Sequence, residues 1–162
     1  MPETLVADAG PLIALARIEG LAWLPALFKR VLVTESVLSE CLAEPEREEH
    51  TAIRQALAEA WLQRVAHQPV PRFHEGLGVG ESETLQCAID RGCRVLVDDR
   101  LARRVAQQLG LPVVGTLGAL IAAKRCGLLE HIQPSLERLH ASGYFLSDAV
   151  RAEALRLAGE NP

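Results

Sequence analysis

Short apolar runs alternate with helix-period stripes along most of the chain. Thr4 to Ala7 is an apolar run of strand length, and Asp8 stands at its carboxyl end before an Ala9-Gly10-Pro11 turn. Proline near a helix start fits the stripe that follows, Leu12, Ile13, Leu15, Ala16 and Ile18, which closes at Gly20. Ala22 to Phe28 reads as a further short helix, and Val31 to Val33 as a second strand. Thr34 is placed to cap the next helix, whose apolar face is Val37, Leu38, Cys41 and Leu42, with Glu40 at its edge. Glu44 to Glu49 is a polar break, read as a solvated helix start where acids suit the dipole. Thr51 to Trp61 predicts a helix and Leu62 to Val65 a strand. Gln68 to Gly80, rich in proline and glycine, predicts a mobile loop.

From Glu81 the pattern becomes helix, turn, strand, acidic corner, helix. Leu85, Ala88 and Ile89 recur at helical spacing up to Gly92, Val95 to Val97 is a strand-length run, and Asp98-Asp99 follows at once. Glu81 shares the helix face of Leu85 and Ala88, whereas Glu83 points elsewhere. Leu101, Ala102, Val105, Ala106 and Leu109 mark another helix, and Pro112 to Val114 a last strand. Gly115 to Gly118 turns into a helix through Ala123. Leu128 to His140 reads as helical with a break at Pro134, and Ser147 caps a final helix from Asp148 to Ala158.

Strands alternating with helices predict an α/β fold, a mostly parallel sheet with helices on both faces. One domain over residues 1–162 is expected, with a core about 4–126 and C-terminal helices at 128–158. Ligands of such sheets gather beyond the carboxyl ends of the strands. Asp8 and Asp98-Asp99 occupy such ends, and Glu40 and Glu81 lie on helices within reach of them. Ionised carboxylates near a core are costly unless paired or bound to metal, so these acids are the candidate site.

Composition narrows the chemistry. Apolar residues make up 49 % and charged residues 23 %, as in a folded globular domain. The net charge of −4, from 17 basic and 21 acidic residues, excludes a strongly basic field for duplex DNA. Four acids given over to a cation would leave the remainder balanced, so a neutral body could still meet a phosphate backbone. Cys41, Cys87, Cys93 and Cys126 are scattered and read as reduced thiols, not zinc or disulfide partners. The five histidines form no ligand spacing, although His74 lies near the glycines before Glu81. No apolar run is long enough for a membrane span, and the acidic start does not resemble a signal peptide, so a cytoplasmic protein is expected.

Arg100, Arg103 and Arg104 beside the acidic corner, and Lys124 ending another helix, are candidate phosphate contacts, which position a nucleic acid without reading it; a solvated, ion-paired helix face is the alternative. Thr116 sits within reach of the pocket, in a turn or at a helix start. The two Trp, one Tyr and three Phe are unclustered, which argues against a stacking platform. Gly76, Gly78 and Gly80 imitate a dinucleotide loop, the basis for a nucleotide-binding reading, but no apolar strand precedes them. They are read instead as a flexible gate.

The order of the acids, with the blocks Gly80-Glu81-Ser82-Glu83, Val97-Asp98-Asp99-Arg100, Gly115-Thr116-Leu117-Gly118 and Ala123-Lys124-Arg125, resembles the PIN-domain family. Within it, the blocks resemble a prokaryotic PIN-like branch similar to the toxin ribonucleases of toxin–antitoxin pairs. The resemblance runs from about Leu5 to Lys124. It implies a three-layer α/β/α fold and a metal-dependent phosphodiesterase that cleaves RNA. It also implies a small antitoxin as partner and a homodimer. By the same resemblance Asp8, Glu40, Glu81 and Asp99 are the catalytic acids and the ligands of Mg²⁺ or Mn²⁺, with Asp98 as substitute or neighbour of Asp99. Hard divalent cations prefer carboxylate oxygen, and crowded acids cannot all ionise without a cation. Most of these toxins have Asp where this chain has Glu81, which motivates the alternative of a non-catalytic PIN-like module that binds RNA or protein.

Overall fold

The computed structural model describes residues 3–66, 70–71 and 73–161. The strands are β1 (Thr4–Ala7), β2 (Arg30–Thr34), β3 (Leu62–Val65), β4 (Arg94–Leu96) and β5 (Val113–Val114). They form one sheet in the order β3-β2-β1-β4-β5, and every pairing is parallel. Because side chains alternate across a strand, each apolar run supplies two cores. Leu5, Ala7, Val31, Val33 and Leu96 join one buried cluster, while Val6, Leu32, Val95 and Val97 join the other. This two-sided burial explains why the central strands β1, β2 and β4 carry continuous apolar runs, unlike the edge strand β3.

The first face carries α1 (Ala9–Arg17), α2 (Trp23–Leu27), α3 (Glu35–Cys41) and α4 (Glu48–Ala58). The second face carries α5 (Val79–Arg91) and α6 (Arg100–Gln108). The chain then returns to the first face with α7 (Thr116–Arg125), α8 (Gln133–Ala141) and α9 (Asp148–Leu157). The result is the expected three-layer α/β/α arrangement. The chain leaves β1 outward through β2 and β3, then crosses to β4 and β5 on the other side of β1. The order therefore reverses between β1 and β4, the place where open parallel sheets form a crevice at their carboxyl ends.

Local signals behave as their chemistry predicts at most ends. Thr34 accepts a hydrogen bond from the Val37 N–H, and Ser147 accepts one from the Val150 N–H. Two expectations change. Pro134 lies in the first turn of α8, where its missing N–H is harmless, so it starts that helix and does not interrupt it. The acidic run before α4 is not wholly solvated, because Glu49 is buried and takes two hydrogen bonds from Arg17, at 3.1 and 3.3 Å. Cys41, Cys87 and Cys93 are buried and Cys126 is exposed, all four as free thiols.

Gln68, Pro69 and Arg72, within the loop predicted to be mobile, lie outside the described residues. Nearer the helix, His74 Nδ1 accepts from the Gly76 N–H at 3.0 Å, a local turn bond. Gly78 then caps α5 and Gly80 lies within it, so these two glycines belong to a helix start. Among the described residues no helix is long and apolar enough to cross a membrane.

Candidate functional site

Asp8 immediately follows β1, and its N–H donates to the Leu96 carbonyl at 3.0 Å, pinning it beside the end of β4. It precedes α1, yet its side chain makes no capping hydrogen bond there. The residue is 7 % exposed. Burial pushes its carboxyl up to about 7, against the pull of the Ala9 N–H, and the charges of Glu81, Glu40 and Asp98 push the same way. Asp8 is therefore a buried acid whose neighbours are other acids.

Two helices bring in the glutamates. Glu40, near the end of α3, is raised above its ordinary value by partial burial and by the charge of Glu81. Its approach depends on Gly80, since a Cβ there would lie 2.8 Å from Glu40 Oε1 and 3.3 Å from Val37 Cγ2. Glu81 lies in the first turn of α5, where its Oε2 accepts the Gly78 N–H at 2.5 Å. That bond satisfies an otherwise orphaned group near the helix start and fixes the carboxylate near Glu40.

Asp98 enters from beyond β4. The Val97 N–H donates to the Val114 carbonyl at 3.0 Å, which holds this segment against β5. Thr116, fully buried at the start of α7, clamps both oxygens of Asp98. Its N–H donates to Oδ1 at 2.8 Å and its hydroxyl to Oδ2 at 2.6 Å. Gly115 allows the crowding here, because a Cβ would lie 2.6 Å from Arg103 Nη1 and 3.0 Å from Asp98 Oδ1. Arg103 Nη1 in turn donates to the Val97 carbonyl at 3.1 Å. Tyr144 joins the same network. Burial, together with the charge of Asp98, raises its phenol well above the usual range.

The structure thus brings Asp8, Glu40, Glu81 and Asp98 into one electrostatic group. Asp99 does not join them. It is exposed, and its Oδ2 accepts the Ala102 N–H at 2.9 Å as the cap of α6. Asp98, and not Asp99, thus faces the other acids, because the strand end turns Asp98 inward and gives Asp99 to the helix cap. Arg100, Arg103 and Arg104 lie along one side of α6, three and four residues apart. Lys124 does not join them, since its ammonium is committed to Glu160 at 2.7 Å, and Glu160 also accepts the Ile132 N–H.

Sequence reasoning missed three supporting positions. Tyr144 carried no local signal, because its partner Thr116 is distant in sequence. Gly80 and Gly115 stand in the quoted blocks directly before Glu81 and Thr116, and that adjacency is the signal that could have found their packing role. Glu83 is buried as well, 4 % exposed, because α5 packs against α3 on one side and the sheet on the other.

Among the described residues no three His, Cys, Asp or Glu side chains stand as a ready-made cation cage. The donor set nonetheless suits a hard divalent ion. All four groups offer carboxylate oxygen, and mutual repulsion on buried Asp8 is the condition that a cation relieves.

The comparisons agree with this frame. A family model described as a PIN domain, DUF3368, matches residues 4–160. Among solved structures, a PilT N-terminus domain protein of the hyperthermophilic archaeon Sulfolobus solfataricus P2 is similar in fold. Its TM-score is 0.51 at 15 % identity, over 74 % of this chain and 92 % of that one. A search of curated proteins finds no significant match. With the five-stranded parallel sheet, the acids at its switch point and a family match over nearly its whole length, the chain belongs to the PIN domain family.

Proposed function

We propose that this protein is a nuclease dependent on Mg²⁺ or Mn²⁺ that cleaves RNA, and that it is the toxin of a toxin–antitoxin pair restrained by a small antitoxin protein. PIN domains are generally nucleases. The observation that carries the reading is Asp8, a buried carboxyl without a capping role, raised to about 7 and surrounded by three further acids. Nothing in a structural ion-pair network would call for that arrangement.

Asp8, Glu40, Glu81 and Asp98 would hold the cation. When bound, such an ion polarises a phosphate oxygen and makes water a nucleophile near neutral pH. The chain's own residues do the rest. Thr116 fixes Asp98 through both of its oxygens, so that carboxylate needs no reorganisation. Gly80 lets Glu40 close on the group, and the arginines of α6 supply positive charge at its edge.

The test is cleavage of structured and unstructured RNAs by purified protein, with Mn²⁺, Mg²⁺ or EDTA. Cleavage is expected only with metal and falls by ~100-fold or more in Asp8→Asn and in Asp98→Asn. Cleavage that survives both substitutions removes the site. A second reading, a module that binds RNA or protein without turnover, is favoured by the bond from the Gly78 N–H, which occupies one Glu81 oxygen. Tight RNA binding with no turnover across substrates and both metals would select it.

A further inference from the structure

On the side of the acidic group away from α6 lies a cavity of about 220 Å³, between α5 and the β2–β3 edge of the sheet. Its lining includes Thr34 and Val65, the last residues of β2 and β3. The parallel register that sets Val6 beside Leu32 brings Asp8 level with Thr34, and Thr34 pairs with Val65. Asp8, Thr34 and Val65 therefore stand in one row, and two strand spacings put Val65 roughly 10 Å from Asp8. The facing wall is the side of α5 that bears Glu83, Gln86 and Asp90, with Arg91 next to it. One helix thus carries Glu81 to the acidic group and this wall to the cavity. Along its axis Asp90 lies about 14 Å beyond Glu81.

The wall has a definite hydrogen-bonding character. Gln86 Nε2 donates to Asp90 Oδ1 at 2.7 Å, which orients that carboxylate and leaves its Oδ2 and the Gln86 carbonyl as acceptors. Arg91 supplies donors directly beside them. Among the described residues neither Asp90 nor Arg91 is taken up in an ion pair. Two carboxyl groups against one guanidinium disfavour a phosphate, so the cavity does not suit the backbone of a strand. Its volume falls below the ~300–1,000 Å³ of pockets for drug-sized ligands, which suits a single ring system.

We propose that this cavity is a subsite for one unpaired guanine of the RNA strand, in which Asp90 accepts from the N1 and N2 donors of the base and Arg91 donates to its O6. The inference rests on the reading of the acidic group as an RNA-cleaving site and deepens it by naming a base the substrate carries. A carboxylate beside a guanidinium presents acceptors next to donors, the complement of guanine's Watson–Crick edge. Of the four bases only guanine offers a carboxylate two adjacent donors on that edge. The edge is free only in loops and single strands, so selection falls on unpaired RNA.

The test is binding of labelled, unstructured RNA oligomers in EDTA, read by fluorescence anisotropy. The probes are an oligouridine and the same oligomer with one central guanosine, inosine or adenosine. The wild type should bind the guanosine oligomer about 5- to 150-fold more tightly than the adenosine one, the discrimination of a good bidentate pair. Inosine, which lacks the N2 amine, should fall between them. Asp90 is exposed, so its replacement leaves the core intact. Asp90→Ala and the isosteric Asp90→Asn should both lose the preference and bind every oligomer as the wild type binds oligouridine.

Equal wild-type binding to all four oligomers, or undetectable binding to any, overturns the subsite. So does inosine bound as tightly as guanosine, or a guanosine preference that either variant keeps. Because binding in EDTA needs no turnover, a chain that selects guanosine but cleaves nothing fails the nuclease reading alone. One that cleaves RNA without selecting guanosine fails the subsite alone.

Discussion

Asp8 is where the site's electrostatics become measurable. Its carboxyl titrates at about 7 in the folded chain and at an ordinary 3.8 when unfolded, so the native state binds the proton more tightly. The associated stability is fully present below pH 4 and is lost as pH rises through about 7. In metal-free protein the loss should reach roughly 4 kcal/mol. Asp8→Asn removes the titration and keeps the shape. Denaturant unfolding in EDTA at pH 5 and pH 8 should therefore show the wild type losing stability relative to Asp8→Asn as pH rises. Parallel profiles would mean that Asp8 is not held buried beside the other acids. Glu49 and Glu160, each brought below its ordinary value by hydrogen bonds from a basic partner despite burial, act in the opposite sense and at lower pH. Comparison with the variant isolates Asp8 from them. At this scale the sequence displayed Asp8, Glu40 and Glu81 through their placement at a strand end and on helix faces. It could not separate Asp98 from Asp99, because two adjacent acids look alike until Thr116, 18 residues on, clamps one of them.

Among the elements, α3 and α5 matter most, since their contact delivers both glutamates. Gly80 sits where they meet. Gly80→Ala should leave stability within about 1 kcal/mol of wild type, because alanine favours the helix while its methyl displaces only the flexible end of Glu40 and crowds Val37. Mn²⁺ affinity should nonetheless fall by ~10-fold, as expected when the placement of one carboxylate is lost. Thermal unfolding in EDTA and calorimetric Mn²⁺ titration on the same sample separate the two effects. A variant with unchanged Mn²⁺ affinity would remove Glu40 from the group. The periodicity of α5 was plain in the chain, and so was its end at Gly92. Its two-sided burial was not, because a helix wedged between a sheet and another helix buries polar residues such as Ser82 and Glu83 that lie off its apolar stripe. Pro134 was ambiguous for a related reason, since proline both interrupts helices and begins them, and only the turn before α8 decides.

For the molecule as a whole, the alternation of strand and helix was enough to anticipate a parallel sheet with helices on both faces. The order β3-β2-β1-β4-β5 then places the acids where that architecture opens. What the chain did not reveal was how its C-terminal part closes the site. Tyr144 reaches Asp98 from the α8–α9 connection, and Lys124, which looked available for phosphate, is bound to Glu160 instead. Those are contacts between distant segments, and periodicity carries no trace of them.

The most direct measurement is a Mn²⁺ titration of the wild type, Asp8→Asn, Asp98→Asn and Asp99→Asn, read as the shift in unfolding temperature at pH 5.5 and pH 8. Mn²⁺ at a hundred-fold excess over its Kd should stabilise the wild type by about 2.7 kcal/mol, more at pH 8 than at pH 5.5. The gain should vanish in Asp8→Asn and Asp98→Asn and persist in Asp99→Asn, whose amide oxygen can still cap α6. A wild type indifferent to Mn²⁺, or a response that Asp99→Asn abolishes and Asp98→Asn preserves, would contradict a cation centre built from Asp8, Glu40, Glu81 and Asp98.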